Sequence, residues 1–369
     1  MKTLLYFNET ELLQRAKNAL LIKPVHITDQ ICPLSQGTPH DFYSNGDYWW
    51  PNPETKDGLP YIRRDGRCNS EAFFAHRNLL QTMKNAVADL AAGYRLTGKE
   101  AYAQAACRIL REFFLDAETK MNPNLCFAQA IPGVCPGRGI GIIDTLHLVD
   151  VPYSIEALKP SPAMTDELCG GLLQWFREYL HWMQTHEYGI AEMNESNNHS
   201  VCWFAQAAVY ARLIGDQACL SFCRKQFREV LIPQQMASDG SFPAELARTK
   251  PYNYSLFVAD NMCTICQAAS CEEDDLWAFA LPDGRGMERA IDFIYPYLAD
   301  KSSWPYLKDV EHFDSLPVKA SFLLFAGLAY HHEGLLRKWM ELPSIADCKD
   351  PEMIRNVAVK QPFLWLSMN

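Results

Sequence analysis

A seven-residue pattern occurs twice in this chain: Arg95-Leu96-Thr97-Gly98-Lys99-Glu100-Ala101 returns in altered form as Arg212-Leu213-Ile214-Gly215-Asp216-Gln217-Ala218, 117 positions later. In both copies a helix rich in small residues stops at glycine, and a second helix starts two or three residues on. That is the order expected when a left-handed glycine closes the first helix of a hairpin. A helical hairpin cannot bury its apolar face alone, so repeated hairpins stack around a continuous core. The amphipathic spacing agrees: Leu79, Leu80, Met83, Ala86, Val87 and Leu90 fall at helical intervals over residues 78–96. Further helices are predicted at 100–114, 164–185, 200–213, 217–230, 256–269, 287–299, 320–331 and 333–342, and β-alternation is scarce. No low-complexity stretch or linker divides the chain, so residues 1–369 read as one all-α domain.

The 48% hydrophobic and 21% charged composition is that of a globule with a large core. No run approaches the ~18–20 apolar residues of a membrane span, so no membrane partner is expected. The opening Met1-Lys2-Thr3-Leu4-Leu5-Tyr6-Phe7 hints at an export signal but meets Asn8-Glu9-Thr10-Glu11 before an adequate apolar region forms. A net charge of -10 argues against nucleic acid as a partner. It also opposes polyanions in general, so an acidic substrate requires a locally positive cleft. Arg63-Arg64-Asp65-Gly66-Arg67, Arg138, Arg248 and Lys250 are the candidates for it. The thirteen cysteines are scattered in apolar surroundings, and Cys263-Thr264-Ile265-Cys266 has no second pair or nearby histidine at zinc-binding spacing. They read as buried free thiols, and no metal or cofactor is expected.

Long polar connections over 23–71, 120–150 and 239–254 interrupt the helices, and loops of that length in a compact domain are usually functional or disordered. Their Trp, Tyr, Asn and Arg content favours ordered loops facing a ligand. Glu192-Met193-Asn194-Glu195-Ser196-Asn197-Asn198-His199-Ser200 runs into an apolar helix. An ordinary N-cap accounts for one or two of these residues, but not for so long a polar run ending in histidine. In 239–254, Arg248 precedes Tyr254 by six positions, with Lys250 and Tyr252 between them. Alone, such residues are more often surface and packing groups. Trp49 and Trp50 adjoin in Asn45-Gly46-Asp47-Tyr48-Trp49-Trp50-Pro51, and neighbours on an extended chain point oppositely. One indole is therefore available as a platform for a sugar ring, although a Trp packed down a loop is an equal reading. Gln129 and Arg138 suit hydroxyl and carboxylate binding. Gly137-x-Gly139-x-Gly141 has the wrong spacing for a dinucleotide fingerprint, and His147 reads most plainly as a core histidine.

Together these segments resemble the alginate lyase superfamily of helical-toroid polysaccharide lyases, over most of the chain. Asn198-His199 looks like the family's Asn-His pair. Glu245-Leu246-Ala247-Arg248 looks like the segment carrying its arginine, and Tyr254 like its downstream tyrosine. The spacing from Arg248 to Tyr254 is nearer to polysaccharide lyase family 38 than to family 5, which leaves Tyr252 as a rival for the tyrosine role. The resemblance implies an all-α fold, an incomplete (α/α) toroid or barrel of helical hairpins with long active-site loops. It also implies a catalytic set of Asn198, His199, Arg248 and Tyr254. Substrate contacts are expected from Tyr48, Trp49, Trp50, Arg64, Gln129, Arg138, His147, Glu192, Lys250 and Tyr252. An exported, monomeric enzyme acting on an acidic polysaccharide is implied, with a cytoplasmic location as the alternative.

The implied reaction is β-elimination from a 1,4-linked polyuronate. Removing the C5 proton builds an enolate-like dianion, so the neighbouring carboxylate must be neutralised first, by Asn198 and Arg248 with His199 assisting. Tyr254 takes that proton as phenolate and returns it to the departing O4. Free tyrosine titrates near 10, so Arg248 and His199 are expected to bring it down. One phenol doing both jobs implies syn elimination, as for mannuronate or glucuronate; for guluronate, His199 would serve as base from the opposite face. Two rivals remain open at this point. A glycoside hydrolase would use Glu192, Glu195 or Asp47 as its carboxylates. A non-catalytic helical repeat would bind glycans without consuming them.

Overall fold

The computed structural model describes residues 2–366, which fall into two compact units. One comprises the chain up to Glu192 together with the segment from Gln361 onward; the other runs from Met193 to Lys360.

The first unit opens with α1, Glu9–Ala19, capped by Asn8, whose side chain accepts from the Glu11 N–H at 3.2 Å. No helix was expected here; Leu12, Ala16 and Ala19 are the buried residues of α1, at helical spacing. After the short strands β1 (Tyr43–Asn45), β2 (Trp49–Trp50) and β3 (Ile62–Arg63) come α2, Ala75–Thr97, and α3, Glu100–Phe114. Strand β4, Phe127–Ala130, pairs in parallel with β1, while β2 and β3 are antiparallel. The unit continues with α4 (Asp150–Leu158), α5 (Asp166–Thr185) and α6 (Glu187–Met193). Helix α2 lies at its centre and packs on α1, α3 and α4. The loop expected over 120–150 carries regular structure in its second half, where a 3-10 run, Gly139–Val149, leads into α4. A 3-10 run lacks the 3.6-residue period, which is why the apolar pattern did not announce it. A Cβ on Gly141 would stand 2.8 Å from the backbone of Ala128 in β4, so the glycine spacing there serves close packing.

In the second unit, α7, Asn198–Ile214, and α11, Pro251–Ala269, pack on each other, and both are buried over most of their circumference. Small residues allow this approach: Ala205, Ala207, Ala208 and Ala211 on α7, and Ala259, Cys263 and Cys266 on α11, have no exposed surface. Around them lie α8 (Gln217–Gln226), α9 (Ile232–Gln235), α10 (Pro243–Leu246), α12 (Met287–Ala299), α13 (Phe322–Ala329), α14 (Glu333–Glu341) and α15 (Pro351–Asn356). All thirteen cysteines are free thiols, and burial pushes those of Cys263 and Cys266 well up. No described helix is long and apolar enough to cross a membrane.

The repeated glycines act as the pattern requires. Gly98 (φ 65°) closes α2 and Gly215 (φ 74°) closes α7, each in the left-handed region with its N–H returned to the last helical turn. A Cβ at either position would meet nothing within 4 Å, so only backbone strain opposes a side chain there. Gly98→Ala and Gly215→Ala are each expected to cost about 1 kcal/mol in urea unfolding, without loss of helix content. A loss near zero would contradict the strain argument.

Candidate active site

The site in the second unit is built on the beginnings of α7 and α11. Asn197 is the cap of α7: its Oδ1 accepts from the His199 N–H at 2.9 Å. That places Asn198 and His199 in the first turn, Asn198 buried and His199 half-buried. The Asn198 backbone N–H and side-chain Nδ2 both donate to the carboxylate of Glu245, at 2.7 and 2.8 Å. Glu245 belongs to α10, and the turn continues through Arg248, whose N–H donates to the Glu245 carbonyl at 3.1 Å. A separation of three on such a turn sets both side chains on one side.

Arg248 then reaches the start of α11. Its Nη2 donates to the Tyr254 hydroxyl at 3.1 Å, and its guanidinium carbon stands 4.4 Å from the centre of the Tyr254 ring. Tyr254 is half-buried in the first turn of α11, behind Pro251. That turn is anchored by Asp309, whose carboxylate accepts from the Tyr252 and Asn253 N–H groups at 2.8 and 2.9 Å. Burial pushes the Asp309 carboxyl up to about 6, against the pull of these bonds and of Lys250.

Asn198, Glu245, Arg248 and Tyr254 thus form a continuous chain of contacts, with His199 close enough to Glu245 to act on its charge. Burial pushes the Glu245 carboxyl up, and the Asn198 hydrogen bonds, Arg248 and His199 hold it back. Two helix N-termini meet here, each equivalent to roughly half a positive charge. The Arg248 guanidinium and the buried Glu245 carboxylate both lie among these helix starts, in a protein of net charge -10. Sequence reasoning did not place Glu245 among the functional residues. The available signal was its three-residue offset from Arg248 on a helical turn.

Two neighbours expected on substrate take other positions. Lys250 has no exposed surface, and its Nζ is held by Glu352 Oε1 at 2.6 Å and Glu311 Oε2 at 3.4 Å. Tyr252 is buried against Trp304 and Phe313, with its hydroxyl donated to the Tyr297 carbonyl at 3.0 Å. Burial pushes that phenol up. An ammonium neutralised by two carboxylates and a phenol spent on a carbonyl are structural groups. Tyr254 is the tyrosine that touches Arg248.

The first unit gathers most of the aromatic and basic candidates. In β2 the two tryptophans are both half-buried and have different cationic partners: Trp49 faces Arg138 (5.8 Å) and Trp50 faces Arg64 (5.2 Å). The Trp50 Nε1 donates to the Arg67 carbonyl at 3.0 Å, and the Tyr48 carbonyl accepts from the Arg64 N–H at 2.8 Å. Gln129 is buried with φ 53°, unusual for a residue with a side chain. Its Nε2 donates to Asp144 at 3.0 Å, and its carbonyl and Oε1 accept from Arg138 at 2.8 and 3.2 Å. Gln129 therefore holds Arg138 in place and has no free end for a hydroxyl. Arg77 completes the cluster, pairing with Asp47 and, at 2.9 Å, with Asp144. His147 and Glu192, both expected on substrate, are buried. Of the three carboxylates a hydrolase would draw on, Glu192 has no exposed surface, Asp47 is tied to Arg77, and Glu195 is half-buried beside Asn197.

The alginate lyase family profile matches residues 29–304. Among solved structures, an alginate lyase from Bacteroides ovatus is 32% identical, with a TM-score of 0.82 over 95% of this chain and 92% of that one. Alginate lyase A1-III from Sphingomonas species A1 is 15% identical, with a TM-score of 0.60 over 98% of this chain and 95% of that one. A histidine-to-alanine variant of A1-III complexed with a tetrasaccharide is 14% identical, with a TM-score of 0.57 over 99% and 95% of the two chains. No curated protein matches the sequence. The likenesses carry the fold class expected from the sequence, an all-α (α/α) toroid of helical hairpins.

Proposed function

The chain belongs to the alginate lyase family and is a polysaccharide lyase, and from that premise we propose that it cleaves 1,4-linked polyuronates by β-elimination at Asn198, His199, Arg248 and Tyr254. Alginate, in particular its mannuronate blocks, and glucuronan are the substrates that suit this centre. The observation that carries the reading is the contact of Arg248 with both the oxygen and the ring of Tyr254, beside the first turn of α7. The tetrasaccharide bound to an A1-III variant supports a saccharide chain as the ligand.

In this mechanism the uronate carboxylate lies against Arg248, the amide of Asn198 and the imidazole of His199, and two helix N-termini add to the field. Neutralising the carboxylate lets charge from the breaking C5–H bond spread into it. Tyr254, its oxygen held by Arg248 and stabilised as phenolate, takes the C5 proton. The electron pair forms the C4=C5 double bond, the C4–O4 bond breaks, and the same phenol delivers the proton to the departing O4. Both transfers occur on one face, which fits mannuronate or glucuronate. Side chains and helix N-termini together supply the charge neutralisation, so the chemistry asks for no metal or organic cofactor. All four groups come from one chain, so a monomer suffices. We also take residues 1–369 as a single lyase domain, because the family profile runs through the boundary near residue 192.

A panel of polymannuronate, polyguluronate and glucuronan followed at ultraviolet wavelengths tests this. The expected result is absorbance from the new double bond on polymannuronate or glucuronan, undiminished by a chelator. Reducing ends appearing without absorbance would mean hydrolysis; an intact polymer would mean binding alone.

A further inference from the structure

We propose that Glu245 is a positioning residue of this site, a buried carboxylate that acts through Asn198 by fixing which end of the Asn198 amide meets the substrate. The inference rests on the function proposed above and adds to it the group that prepares the amide.

Two observations carry it. First, the Asn198 backbone N–H and Nδ2 converge on the two oxygens of one carboxylate, at 2.7 Å to Oε1 and 2.8 Å to Oε2. An ionised carboxylate only accepts. It therefore settles an orientation that an amide otherwise leaves open, with nitrogen toward Glu245 and not oxygen. The amide nitrogen carries two hydrogens; one is given to Glu245, and the second remains for the uronate carboxylate. The flipped amide would turn its oxygen lone pairs on that carboxylate and repel it. Second, Glu245 is 2% exposed in a site that must attract an anion. A negative charge there opposes substrate binding, so its contribution lies in organising Asn198 and in balancing Arg248 and His199, the charges that act on it. Burial pushes its carboxyl up, but the four groups facing it, the Asn198 N–H and amide, Arg248 and His199, all favour the anion.

Glu245→Gln separates this role from a structural one. Glutamine can present either oxygen or nitrogen to Asn198, so the amide loses its fixed orientation while shape is kept. The expected result on polymannuronate is a kcat lower by about 10²-fold with KM not raised, because an opposing charge has gone. In a double-mutant cycle, Glu245→Gln placed on Asn198→Ala is expected to cost less than about three-fold more, since residues acting through one another are not additive. Losses that multiply in the cycle, or a KM that rises as kcat falls, would overturn the proposal. Should Glu245→Gln fail to fold, Glu245→Asp carries the test: it keeps the charge but withdraws it from Asn198. That variant should lose kcat while its thermal melting stays near that of the parent, and unchanged kcat would overturn the proposal. An active parent with an unaffected Glu245→Gln variant defeats only this inference. A parent that forms no double bond from any polyuronate defeats the proposed function and this inference with it.

Discussion

Tyr254→Phe is expected to lower kcat by about 10⁴-fold, the largest single effect in the site. The change deletes one oxygen and leaves the ring, which still packs against the Arg248 guanidinium 4.4 Å from its centre. Folding and substrate binding should therefore persist. What disappears is the group that takes the C5 proton and returns it to O4, and each such transfer is worth about 10²–10⁴-fold. Steady-state kinetics on polymannuronate, with calorimetry of oligosaccharide binding to the variant, checks both halves. Affinity should stay within about three-fold of the parent value, since no attractive contact to the uronate carboxylate is lost. A variant turning over within tenfold of the parent would remove Tyr254 from the mechanism. Tyr252 would not replace it, because its hydroxyl is already given to the Tyr297 carbonyl inside an aromatic cluster.

Lys84→Met is expected to cost about 3–5 kcal/mol of stability, the largest effect away from the site. Lys84 on α2 and Asp150 on α4 form an ion pair at 3.0 Å in which neither side chain has any exposed surface. Burial lowers the Lys84 pKa from its ordinary value, and Asp150 pulls it back. Removing the ammonium takes away the cation that faces this core carboxylate at 3.0 Å, while the Trp365 Nε1 still donates to it at 2.9 Å. Breaking a buried pair from one side is far more costly than replacing the whole pair. Adding Asp150→Asn to Lys84→Met should thus recover most of the loss, since an amide oxygen still accepts from Trp365. Urea unfolding of the parent and the two variants checks this. A single variant within about 1 kcal/mol of the parent would contradict the account of the pair.

Local pattern made the helices legible in the sequence. Residues 100–114 and 287–299 are helical over the expected spans, and Gly98 and Gly215 close their helices as the repeated pattern predicts. Asn198, His199, Arg248 and Tyr254 stood out as candidates because each sits beside a helix boundary that a polar run or a proline announces. The rest depended on tertiary burial, which sequence does not print. Lys250 looked like a basic residue on a ligand-facing loop, yet its carboxylate partners, Glu311 and Glu352, lie about 60 and 100 positions onward. Gln129 looked free to bind a hydroxyl until Asp144 and Arg138 were seen to occupy both ends of its amide. Glu245 looked like an acid in the first turn of a short helix, an ordinary preference, and its offset from Arg248 gains weight only beside its pairing with Asn198, 47 positions earlier.

Mass spectrometry of the fragments released from a defined mannuronate oligosaccharide tests the central claim most directly. The account predicts that every cut leaves a new non-reducing end lighter by one water than hydrolysis would give, and that Tyr254→Phe releases no such fragments. Fragments at the hydrolytic mass, or unsaturated fragments still released at the parent rate by the Tyr254→Phe variant, would contradict it.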